Sequence, residues 1–219
     1  MTEAEWLGRA APGLMLRFLG GRASERKLRL FACHCAELVL GSMLQRDIPP
    51  ELELAWVAAD DSVRPSDPAV VVAEQSVLGS ELAESYAGRT LEAAFRPRQR
   101  ALAESRNAVE SLAIRLASDA GRDTARASQE ARTTLASFLR DIFGNPFRKV
   151  KFKKTWRTDT AVTLARQMYE AREFSAMPIL ADALQDAGCD NEDVLNHCRD
   201  TNQVHVRGCW VVDLVLEKE

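Results

Sequence analysis

The sequence predicts an all-α fold, a multi-helix bundle or array with a short irregular or extended connector near residues 145–157. Three observations carry this expectation. Apolar residues recur at helical spacing in nearly every long stretch. Ser, Thr, Asp and Pro stand where those patterns begin, and Gly stands where several of them stop. Gly144-Asn145-Pro146 then cuts the pattern and sets the internal boundary, giving an N-terminal helical region, 1–143, and a C-terminal one, 144–219, either separate or packed as one domain.

The elements follow in order. Thr2 and Glu5 form a capping-box pattern ahead of Trp6 and Leu7. Pro12 suits the first turn of a short helix that ends at Gly20-Gly21. Ser24 caps a longer helix whose apolar stripe is Leu28, Phe31, Cys35 and Leu38. Pro49-Pro50 starts the next, and Ser66-Asp67-Pro68 starts one that runs to about Phe95. Polar helices are expected from about Arg98 to Ala120 and from about Thr124 to Phe143. Their thin apolar face suits a partner surface over residues 98–137. Beyond the breaker, Ala161, Leu164, Ala165, Met168 and Tyr169 mark one helix. Ser175 is expected to cap the next, which Gly188 ends, and Asp190 to cap a short one reaching Arg199. The last apolar stretch, residues 206–216, is rich in Val, which favours strand; the helical company favours a buried helix, and helix is the expectation.

Composition bounds the function. The chain has 219 residues, 46% hydrophobic and 28% charged, with only 11 Gly and 8 Pro, a balance that excludes a fibre or a disordered chain. A net charge of -3 gives no global argument for nucleic acid or an anionic membrane. No run approaches the ~20 apolar residues of a membrane span. The acidic N-terminus has no apolar leader, so a cytoplasmic protein is expected. Five Cys, an odd number, fit reduced thiols better than a disulfide framework. There is no P-loop, dinucleotide fingerprint, H-E-x-x-H or G-x-S-x-G, which lowers the expectation of an enzyme.

Several stretches carry a resemblance. "MTEAEWLGRAAPGLMLRFLGGRASERKLRLFACHC", "RDIFGNPFR", "ILADALQDAGCDNEDVLNHCR" and "HVRGCWVVDLVL" resemble a family of bacterial helical proteins abundant in planctomycetes. Residues 61–131 match only in general helical character. The resemblance implies a cytoplasmic bacterial protein and no assigned activity. Residues 149–158 are more basic than the family implies.

Two features carry chemistry. All three His lie within four residues of a Cys. Cys189, His197, His205 and Cys209 supply two thiols and two imidazoles, a donor set for tetrahedral Zn. His197 is preferred to Cys198 as a ligand because Cys198 continues the apolar line of Val194 and Leu195. No C-x-x-C knuckle is present, and the same Cys also read as small core residues. If His205 begins the last helix, then His205, Cys209 and Asp213 share one face, a weak candidate for Cys-dependent catalysis. Cys33-His34-Cys35 reads as core and rim, because successive helical residues diverge by about 100°.

The second feature is residues 147–157, which hold six cations and no acid: Arg148, Lys149, Lys151, Lys153, Lys154 and Arg157, interleaved with Phe147, Phe152 and Trp156. Setting those six aside leaves 23 basic against 32 acidic residues, a balance of -9, so charge is segregated. The segment reads as an extended connector with Val150 and Phe152 inward and Lys151 and Lys153 outward. It reads also as a surface for a protein partner or a second copy of the chain, or as a nucleic-acid contact using Trp156 for stacking. The leading functional reading is a non-enzymatic helical interaction or scaffold protein. The alternatives are a zinc-stabilised module binding nucleic acid through 147–157, and a Cys-dependent enzyme.

Overall fold

The computed structural model describes residues 1–44, 50–60 and 124–218. The expected helices starting near Ser66 and Arg98 lie outside the described residues. Among those described there are nine α-helices and no strand. The chain divides into two compact units, Met1–Ala136 and Ser137–Glu219.

The N-terminal unit begins with α1 (Glu3–Gly8) and α2 (Pro12–Leu19). The capping box of α1 forms as expected: the Glu5 N–H donates to Thr2 Oγ1, and the Thr2 N–H donates to Glu5 Oε2. α3 (Glu25–Leu44) starts with the Lys27 N–H donating to Ser24 Oγ at 3.2 Å and packs on α4 (Pro50–Asp60). Leu28, Phe31, Cys35, Leu52, Ala55 and Trp56 are fully buried. Their α3 members follow the apolar stripe read from the sequence. The Arg26 guanidinium donates to Asp60 Oδ1 at 2.9 Å, tying the start of α3 to the end of α4. Cys33 and Cys35 are core residues, and buried His34 meets Trp56 edge-on, with ring centroids 4.6 Å apart.

α5 (Thr124–Phe143) crosses from one unit to the other. The division falls inside this helix rather than at the breaker because its last turn is bonded into the C-terminal unit: Asp141 accepts from His205 and Val206. The helix stops at Gly144-Asn145-Pro146, where Gly144 has φ +65° and Asn145 Oδ1 accepts from the Phe147 N–H.

The rest of the C-terminal unit is α6 (Asp159–Ala171), α7 (Met177–Asp186), α8 (Glu192–Arg199) and α9 (Trp210–Leu216). α6 packs on α7 and α9, and α7 packs on α8. Their shared core includes Trp156, Met168, Leu180, Leu184, Val194, Cys198, Val211 and Val215. Thr158 caps α6. Two caps differ from expectation by one position. α7 starts at Met177, with Ser175 bonded to Glu173 instead, and α8 is capped by Asn191, whose Oδ1 accepts from the Val194 N–H at 3.0 Å. The final apolar stretch is helical only from Trp210. Gly208, at φ +95°, reverses the chain just before it, a backbone state that glycine adopts without cost.

Candidate metal centre

Four side chains from four separate places meet inside the C-terminal unit. Asp141 comes from the last turn of α5, His197 from the last turn of α8, His205 from the loop that follows, and Cys209 from the N-cap of α9. One ligand atom from each lies within 4.8 Å of all the others. Asp141 and Cys209 are fully buried, and the side chains of His197 and His205 are each 7% exposed.

The carboxylate of Asp141 is the centre. Its Oδ1 faces His205 Nδ1 at 3.0 Å and His197 Nε2 at 3.2 Å, while Oδ2 accepts from the Val206 N–H at 2.8 Å. Burial alone raises its pKa; the hydrogen bonds from His197 and His205 outweigh that and hold it below the ordinary carboxylate value. His197 Nε2 also lies 3.2 Å from Cys209 Sγ. Burial pushes the Cys209 thiol well up, with the negative charge of Asp141 adding to it. The imidazoles of His197 and His205 stand nearly perpendicular, ring centroids 4.9 Å apart. Around them, the Trp210 Nε1–H and the Gln203 amide both meet His197 Nδ1, at 3.2 and 3.0 Å.

This geometry sorts the residues expected from the sequence. His197, His205 and Cys209 come together as expected. Cys189 does not join them; it caps the far end of α7, where its N–H bonds Leu184 and its neighbour Asp190 pairs with Lys153. Asp141 takes the fourth place. Cys198 points into the core, where burial pushes its thiol up to about 12.

The shared helical face of His205, Cys209 and Asp213 does not form, because α9 begins after Cys209. The imidazole against the thiol is His197, and its one nitrogen, Nε2, serves both Asp141 and Cys209. A nucleophilic relay needs the acid on the opposite ring nitrogen and an accessible thiolate. Cys209 has neither.

Four donors of mixed N, S and O type at such separations can hold one divalent metal ion. The atom pairs 3.0–3.2 Å apart approach the edge of a tetrahedron built on bonds of about 2.0–2.3 Å.

Part of the basic segment is used by the fold. Trp156 is 2% exposed and donates Nε1–H to the Gly188 carbonyl at 3.1 Å, so it is a core residue rather than a stacking surface. Arg157 donates to the Leu214 carbonyl and lies over Phe152. Val150 and Phe152 pack inward, the expected connector arrangement. No known protein family matches the chain, and neither does any curated protein or solved structure. No helix among the described residues is long and apolar enough to cross a membrane.

Proposed function

We propose that this chain is a non-enzymatic helical interaction protein whose C-terminal unit is closed by one structural Zn(II) ion, held by Asp141, His197, His205 and Cys209. The observation that carries the reading is the convergence of four buried donors from α5, α8, the following loop and the start of α9. Charge supports it. A divalent cation with one carboxylate, one thiolate and two neutral imidazoles is a neutral unit, and so suits burial. Four protein donors leave no open position, which is the arrangement of a structural rather than a catalytic zinc. The mixed imidazole, thiolate and carboxylate set favours zinc over magnesium or calcium, which prefer all-oxygen sites. The metal would fasten the last turn of α5 to α8, the following loop and the start of α9, so binding energy becomes folding energy. The resemblance to the planctomycete family adds no activity to this reading.

Substitution with Co(II) tests it. The expected result is one equivalent bound, with the visible bands of a tetrahedral ion and a near-ultraviolet thiolate-to-metal band that disappears in Cys209→Ser. An octahedral spectrum, or a thiolate band that survives that substitution, overturns the ligand set.

A further inference from the structure

Residues 147–157 are fixed to the C-terminal unit from both ends. Arg148 pairs with Asp193 at 3.6 Å and Lys153 with Asp190 at 3.2 Å. Phe152 meets Trp156 edge-on, ring centroids 5.2 Å apart. Between those anchors, residues 149–153 form neither helix nor strand, and their exposure alternates: Lys149, Lys151 and Lys153 are exposed, Val150 and Phe152 half-buried. Lys153 is extended, with φ -79° and ψ 137°. This is the period of a strand with one face on a core. Yet no backbone N–H or C=O of residues 149–152 makes a hydrogen bond to another described residue.

We propose that residues 149–152, with the exposed Lys154 side chain beside them, are a docking edge for an extended acidic segment of a partner protein. The free main-chain groups offer strand pairing, and the lysines select the charge of the incoming chain. The side chains of Lys149, Lys151 and Lys154 are exposed and make no ion pair or hydrogen bond with another described residue. On extended backbone, alternate residues stand about 6.6 Å apart, so Lys149 and Lys151 match alternate side chains of a paired strand. A nucleic acid fits less well. Two of the three aromatics that stacking would use are engaged internally, Trp156 in the core and Phe152 against it, which leaves Phe147 as the exposed ring of the segment. The rest of the chain is acidic overall and repels a long polyanion, whereas a short acidic segment meets only the edge.

The test uses the full chain and a fluorescein-labelled peptide of alternating Glu and Thr, followed by anisotropy. Binding is expected at low salt, weakening as salt rises. The triple variant Lys149→Glu/Lys151→Glu/Lys154→Glu, all exposed positions, should keep its helical dichroism and lose affinity by about tenfold or more. The same peptide with alternate backbone amides N-methylated keeps its charge and should bind weakly. The proposal is overturned if the wild type ignores the peptide, if the triple variant or the methylated peptide binds as well, or if a DNA duplex of equal charge outcompetes the peptide.

Discussion

The Trp210 indole donates its Nε1–H to His197 Nδ1 over 3.2 Å, and this bond fixes the state of the imidazole. An indole nitrogen is a donor only, so Nδ1 must accept and the ring proton must sit on Nε2, facing Asp141 and Cys209. A metal held at Nε2 would leave the ring proton on Nδ1. The indole would then have to yield, and the Gln203 amide, 3.0 Å away, would present its oxygen to that proton.

Zinc binding should therefore be read by Trp210. Intrinsic fluorescence should change on adding one equivalent of Zn(II) to chelator-treated protein, and that change should vanish in Trp210→Phe. The variant also loses the competing donor, worth about 1 kcal/mol. Competition against a chelating dye should show it binding zinc roughly fivefold tighter, while its metal-free form melts lower. Unchanged fluorescence in the wild type, or weaker zinc binding by the variant, contradicts this account.

Cys209→Ser separates a ligand from a core residue. With metal, the wild type should melt higher than after chelation, and the variant should show no difference between the two conditions. Without metal, the variant should differ from the wild type by only about 1–2 kcal/mol, since a hydroxyl can still accept from His197. Calorimetry with and without chelator checks both statements.

Asp141 gives a pH-dependent prediction for the metal-free protein. Its carboxyl is held below the ordinary value of 3.8, so the folded state favours the ionised form. That stabilisation is present at neutral pH and is lost as pH falls through the folded value, below about 3.9. Asp141→Asn removes it and turns an amide N–H toward the donors of His205 or Val206. The cost should be about 3 kcal/mol or more at neutral pH. Urea midpoints measured against pH should show the gap between wild type and variant closing in acid.

Gly144 sets the seat of the indole. Its φ is +65°, and a Cβ there would lie 3.1 Å from Trp210 Cγ. Gly144→Ala should cost about 2 kcal/mol through left-handed strain and this contact. It should also shift the Trp210 emission, since the indole must move. A variant with wild-type stability and emission would show that Trp210 is not seated by Gly144.

The helical class was legible because α3 and α6 carry apolar residues at helical spacing, and α2 and α7 end at Gly20-Gly21 and Gly188. Helix starts were legible where a cap acts alone, as at Thr2 and Ser24. They slipped by one position at α7 and α8, where Ser175 and Asp190 have equally good local partners in Glu173 and Lys153. Three of the four clustered side chains were legible because His and Cys are scarce here and crowd near the C-terminus. Asp141 was not, being one acid among 32. Its signal was positional: it follows Phe138 by three on α5 and precedes Ile142, a charged residue among buried apolar neighbours. Cys189 was chosen for its nearness in sequence, whereas the fold supplied the fourth donor from a residue 64 positions before His205.

Native mass spectrometry combined with elemental analysis tests the central claim most directly, on wild type, Cys209→Ser, Asp141→Ala and Cys189→Ser purified from zinc-supplemented cells. The account predicts one zinc per chain in the wild type and in Cys189→Ser, and none in the other two. A wild type without zinc, or zinc that is lost with Cys189 and kept without Asp141, would contradict it.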